Sequence, residues 1–133
     1  YGKDSHRAAL KSAERLKERL LDLLADHGLP ARTFQANALD GPKLGRGLAG
    51  AAVDIVLTDV PYGRDSDWRM PARPLAGKSP LWEMLESLSA VVSSETVVAV
   101  AADKGQPIAH EGYRRIEHFR LGKRQVALLK PQC

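Results

Sequence analysis

The residues best equipped for chemistry are Asp59, Val60, Pro61 and Tyr62, which follow the apolar run VDIVLT at 53–58 without a break. Asp59 offers a carboxylate acceptor, and the peptide carbonyl of Val60 or Pro61 offers a second. Pro61 fixes the bend so that both point the same way. Tyr62 supplies a ring on which a nucleic-acid base can lie, and stacking of that kind is worth about 1–3 kcal/mol per base. Such a set suits an exocyclic amine on a base. The lone pair of that amine is delocalised into the ring, so an enzyme that modifies it must take the base out of its stack and offer acceptors to the amine hydrogens. Gly63 leaves room for close backbone approach. The same residues also fit a plain strand-terminating turn, with Asp59 bonded to its own backbone and Tyr62 packed on the core edge.

The surrounding elements place this motif. A nearly continuous β-branched run such as 53–58 belongs to a strand buried on both faces of a parallel sheet. Ligands of open parallel sheets gather beyond the carboxyl ends of the strands, where residues 59–62 fall. At the front, Asp4 or Ser5 can cap a helix whose Leu10, Ala13, Leu16, Leu20, Leu23 and Leu24 recur three or four apart until Gly28 and Pro30 stop it. Its other face carries Lys11, Arg15, Lys17 and Arg19, a solvated face or an RNA-facing one. Residues 31–36 alternate and predict a short strand, and residues 41–50 predict a loop with at most a short helix over 43–48.

After the motif, residues 64–79 hold two prolines and several charges, the composition of a long exposed loop over a site. Pro80 opens a helix with an apolar stripe of Leu81, Met84, Leu85, Leu88 and Val91/Val92, closed by Ser93 and Ser94. Residues 96–102 form another buried-strand run. Residues 113–121 and 124–129 flank Gly122-Lys123, a pair suited to turning a terminal antiparallel hairpin. The order helix, strand, strand, helix, strand, strand, strand predicts the back two-thirds of an open α/β sheet with an antiparallel end.

Bulk properties bound the partners. Twenty Lys and Arg against sixteen Asp and Glu give a formal net charge of +4, a mild bias that suits a polyanion. No apolar run approaches the ~20 residues of a membrane helix, so no membrane partner is expected. Cys133 is the single cysteine, which leaves neither a disulfide framework nor a CxxC-type zinc site. His6, His27, His110 and His118 have no HxxxH or HExxH spacing, so no metal is expected either. The expected location is cytoplasmic. The chain begins with Tyr1 and no signal-type segment follows, so the expectation is a sequence that starts inside a longer protein.

The stretch DIVLTDVPYG is similar to motif IV of the S-adenosylmethionine-dependent methyltransferases that modify exocyclic amines of adenine or guanine, written (D/N/S)PP(Y/F). Val60 stands where that pattern has its first proline. Over essentially all 133 residues the chain resembles the AviRa family of avilamycin-resistance 23S rRNA guanine-N2 methyltransferases. The resemblance rests on YGKDSHRAALKSAERLKERL, DIVLTDVPYGRDSDW and RLGKRQVALLKP. It implies an α/β fold, the C-terminal portion of a Rossmann-like S-adenosylmethionine methyltransferase sheet. It further implies methyl transfer to the N2 amine of a guanine in ribosomal RNA, a role in antibiotic resistance and S-adenosyl-L-methionine as cofactor. Asp59, Pro61 and Tyr62 would then hold the target amine, while Asn37 in QANALD and Asp59 would face the cofactor. Arg64, Trp68, Arg120, Lys123 and Arg124 are the expected RNA contacts. A non-catalytic RNA-binding relative, or an amino-methyltransferase acting on another nucleic acid, would use the same residues.

A methyltransferase fold of this kind would begin with a strand that runs into a glycine-rich turn at the cofactor, and no such strand-and-turn unit precedes residue 59. Gly45 to Gly50 spells GxGxxG, yet it precedes a strand instead of following one and so fails as a phosphate loop. Residues 1–133 are therefore expected to be a partial methyltransferase domain whose glycine-rich motif lies upstream, inactive as an isolated piece. Isothermal calorimetry on the isolated chain should accordingly show weak S-adenosylmethionine binding, and micromolar affinity would contradict this expectation.

Overall fold

A computed structural model describes residues 2–61, 68 and 77–132; Tyr62, Arg64 and most of the expected 64–79 loop lie outside them. Residues 1–34 and 35–133 form two compact units.

In the first unit, α1 spans Lys3–Asp26, a run rich in Leu, Ala, Arg, Lys and Glu that favours helix at nearly every position. Its N-cap is Gly2, two or three residues ahead of the expected Asp4 or Ser5. Asp4 instead occupies the first turn, where its charge complements the helix dipole, and the Ser5 hydroxyl donates back to the Gly2 carbonyl at 2.8 Å. The predicted stop holds. Gly28 takes a φ of +66°, its N–H donates to Ala25 O, and the Leu29 N–H donates to Leu24 O, the paired bonds of a Schellman end. No residue of α1 is buried. The strand expected over residues 31–36 is absent. A strand exists through its ladder, and residues 31–36 pair with none among the described residues.

The second unit holds α2 (Gly41–Leu48), β1 (Ile55–Asp59), α3 (Pro80–Ser89), β2 (Val97–Asp103), β3 (Tyr113–Leu121) and β4 (Arg124–Pro131). The strands form one mixed sheet in the order β1-β2-β4-β3, parallel between β1 and β2 and antiparallel thereafter. The α/β class and the antiparallel end are as the sequence predicts. Gly122 turns the hairpin with a φ of +60° at the first of two loop positions, where a type II′ turn needs glycine.

The core lies on one face of the sheet. Leu81, Met84, Leu85 and Leu88 of α3 pack with Val98, Val100 and Ala102 of β2 and Ala127 and Leu129 of β4. Ser79 caps α3 by accepting the Trp82 N–H at 3.1 Å, and Pro80 sits at the first helical position, where its missing N–H costs nothing. The helix ends at Ser89 rather than running through Val91 and Val92. Both valine N–H groups fold back to the Leu88 carbonyl, a turn that spares two β-branched side chains the crowding of a helix interior.

β1 departs from expectation. A strand covered on both faces was predicted, yet Ile55 is 66% and Leu57 79% exposed. The core of the second unit covers the alternate residues, with Val56 half-buried against it. At the amino ends of β1 and β2, buried Thr96 donates to the Val53 carbonyl at 2.6 Å and accepts the Ser93 N–H at 2.9 Å.

Helices α2 and α3 approach closely at Gly41. A Cβ there would lie 2.9 Å from the Ser87 carbonyl oxygen, a backbone atom that cannot swing aside. Gly41→Ala should therefore cost about 1–3 kcal/mol, as overpacking does. A thermal melt would register this as a Tm several degrees lower, and an unchanged Tm would mean that α2 is not held at this contact.

Candidate active site

The candidate site is built on the last rungs of the parallel ladder. Asp59 is in register with Ala101, and the Val60 N–H continues the ladder by donating to the Ala101 carbonyl at 3.0 Å. The Val60 side chain is only 2% exposed and belongs to the core. Both facts explain its presence where the related pattern has proline, since a proline has no N–H to donate. Strand alternation then turns Asp59 away from the core, and its side chain is more than half exposed.

A cavity of about 670 Å³ opens at this end of the sheet, and Asn37, Asp59, Val60, Pro61, Trp68 and Met84 are among its lining residues. Its volume lies in the range of small-molecule sites, and its walls mix apolar surface with a few polar groups. The Asn37 Oδ1 accepts the Leu39 N–H at 3.0 Å, so this residue shapes a turn as well as lining the cavity. Asp40 continues the bend by accepting the Lys43 N–H at 3.0 Å, which caps α2. Gly45 and Gly47 lie inside α2 itself, and the positive φ that follows belongs to Ala49 and Gly50 at the helix end. The GxGxxG string is thus a helix and its stop.

The structure gathers some predicted residues and separates others. Asn37, Asp59, Pro61 and Trp68 share the cavity, Trp68 being half-buried and packed against the core. The hairpin turn reaches the same carboxyl edge of the sheet: Arg124 is in register with Asp103, and the Lys104 N–H donates to the Lys123 carbonyl at 2.9 Å. Arg120, Lys123 and Arg124 are all exposed there, and Arg124 Nη1 lies 3.8 Å from Asp59 Oδ2. Arg114 and Arg115, earlier on β3, pair with Lys130 and Leu129 at the far end of the hairpin. Gln125 is a residue that sequence reasoning missed. Its buried amide donates to the Asp103 and Gln106 carbonyls at 2.8 and 2.6 Å, and its oxygen accepts from His118 Nε2 at 2.8 Å. It thereby pins the loop that leaves β2 beside the cavity edge. Among the described residues no group of three or more His, Cys, Asp and Glu could hold a metal, and no helix is long and apolar enough to cross a membrane.

The pattern of the family described as rRNA methyltransferase AviRa matches residues 1–124. This chain belongs to the AviRa rRNA methyltransferase family. A relative from Streptomyces viridochromogenes, named 23S rRNA (guanine(2535)-N(1))-methyltransferase, is 35% identical over 133 residues, covering 98% of this chain and 49% of the relative. The solved structure of the rRNA methyltransferase AviRa from the same organism superposes with a TM-score of 0.59 at 30% identity, over 98% of this chain and 49% of that one. The putative methyltransferase yhhF from Escherichia coli shares the fold at a TM-score of 0.51 and 17% identity, over 87% of this chain and 56% of that one. The chain spans about half the length of the AviRa relatives that it matches.

One cluster of contacts in this AviRa-family chain, outside the cavity lining, leaves no trace in sequence spacing. Trp82 Nε1 donates to Glu111 Oε2 at 2.6 Å, Lys78 donates to Glu111 Oε1 at 3.0 Å, and the Lys78 ammonium stands 4.1 Å from the Trp82 ring centre. His110 stacks on Trp82 with ring centres 4.5 Å apart and meets Glu86 at 2.9 Å. This clasp joins the start of α3 to the loop before β3. The backbone N–H of Glu111, then Trp82 and Lys78, bonds its carboxylate and lowers its pKa from the ordinary 4.5 to about 2. A lowered folded pKa means that the stabilisation is complete above pH 4.5 and is lost as pH falls toward 2. The Tm gap between wild type and Glu111→Gln should therefore be constant above pH 5 and should close between about 4.5 and 2. A gap independent of pH over that window would show that the carboxylate charge plays no part.

Proposed function

We propose that the protein acts as a 23S rRNA guanine methyltransferase using S-adenosylmethionine, with Asp59 at the point of methyl transfer. The observation that carries this reading is the meeting of Asn37 and Asp59 in one cavity beyond the carboxyl end of a parallel strand. The 35% identity to a 23S rRNA methyltransferase supports it. A cytoplasmic location follows from that substrate.

The cavity suits the nucleoside end of the cofactor, since it offers apolar walls from Val60, Trp68 and Met84 and a side-chain amide from Asn37. Bound there, S-adenosylmethionine supplies an electrophilic methyl group. The chain's own residues would do the rest. Asp59 would accept a hydrogen bond from the Watson–Crick edge of the extruded guanine, and Pro61 would hold the local carbonyls in a fixed direction. Tyr62 follows immediately and would lie on the base.

The position of the methyl group is the finer question. Motif resemblance points to the exocyclic N2, whereas the relative's name specifies N1. The two atoms are neighbours on the guanine edge and each carries hydrogen, so a carboxylate can engage either. We favour N1, because the relative with that name aligns along the whole chain. N1 bears a single hydrogen, which must leave as the methyl arrives, and Asp59 is the carboxylate at hand to receive it.

The test uses the intact protein, tritiated cofactor and ribosomal RNA. Wild type should transfer label, and nucleoside digestion should yield 1-methylguanosine rather than N2-methylguanosine. Asp59→Ala should lower transfer by about 100-fold or more, the scale of a lost general base. Wild-type rates in Asp59→Ala would remove Asp59 from the mechanism, and RNA binding without any transfer by wild type would favour a non-catalytic RNA-binding protein.

A further inference from the structure

Arg124 lies on the same sheet face as Asp59, the face away from the core. The registers fix this: Asp59 pairs with Ala101, Ala101 with Val126, and Arg124 follows two residues beyond, opposite Asp103. Asp59 and Arg124 stand two strand spacings apart across the sheet, about 9.6 Å, and two residues, about 6.6 Å, apart along it. A short side chain could not bridge that gap. Arg124 nonetheless brings Nη1 to 3.8 Å from Asp59 Oδ2, crossing the sheet where β2 presents Ala101. The small methyl of Ala101, which with Asp59 and Val126 lines a shallow depression on this face, leaves the route open.

Both partners are more than half exposed, so the pair adds little to stability. Direction is a different matter. Asp59 is the last residue of β1, and its carboxylate can turn about two side-chain bonds unless something selects an orientation. A guanidinium beside Oδ2 favours the orientation in which Oδ1 is the oxygen presented to a base.

We propose that Arg124 is a positioning residue that orients the Asp59 carboxylate across the sheet, rather than a contact to the RNA backbone. The inference rests on the reading of Asp59 given under the proposed function. Its experiment separates the two ideas by measuring RNA binding as well as methyl transfer in the intact protein.

Arg124→Ala should lower kcat about ten- to a hundredfold, the scale of loss from a misplaced reacting group, with KM for RNA close to wild type. The slope of log binding constant against log salt should not change. Arg124→Lys should recover part of kcat, because charge remains while the planar fork is lost. Ala101→Leu, on the exposed face, should reproduce the kcat loss by obstructing the route while leaving Arg124 in place. A phosphate contact would give the opposite result. An Arg124→Ala salt slope shallower by about 0.7–0.9, with kcat retained, would overturn the proposal. The slope reads out even if wild type transfers no methyl group, and an absence of transfer by wild type would count against the Asp59 assignment itself.

Discussion

The hydrogen bond from Val60 N–H to the Ala101 carbonyl extends the parallel ladder one residue past β1, into the motif itself. Because strand side chains alternate, fixing the Val60 backbone and burying its side chain also decides where its neighbours go. Asp59 must point to the other face, and Pro61 must begin the departure from the sheet. A second proline at position 60 would surrender this bond and leave a carbonyl unpaired, at a cost of about 1–3 kcal/mol. Valine at this position is thus a structural choice that holds the motif to the sheet while leaving the carboxylate exposed.

Around that anchor the cavity edge is assembled from distant parts of the chain by polar groups that are each satisfied. Asn37 and Asp40 bend the backbone into α2, and Gly41 lets that helix lie against α3. Gln125 reaches from β4 to the carbonyls of Asp103 and Gln106, and outside the cavity lining Glu111 collects Trp82 and Lys78. Every buried side-chain polar atom among the described residues has a partner, so the edge is held by directed bonds rather than by apolar contact alone. Directed bonds of this kind keep a cavity in one shape.

Legibility in the sequence tracked locality. Elements whose signals are local came through: Pro80 and Ser79 start α3, Gly28 ends α1, and Gly122-Lys123 turns a hairpin whose first strand has the predicted limits. Asp59 and Pro61 line the cavity as their place at a strand end implies, whereas Asn37 was named through the family resemblance, since no strand precedes it. What failed needed knowledge of neighbours. Residues 31–36 have the alternation of a strand and no ladder, and β1 has the composition of a doubly covered strand with one face exposed. Gln125 and the Glu111 clasp depend on contacts 19 to 33 residues apart, for which periodicity carries no signal.

Ile55 and Leu57 present two large aliphatic side chains to water on a strand that ends its sheet, with alanines and Val126 beside them. Greasy surface on a strand that ends the sheet among the described residues is a template on which another extended chain can lay itself down. Produced by itself, this 133-residue polypeptide would therefore be prone to clump through β1, more so as concentration and salt rise and as the repulsion of its modest positive charge is screened.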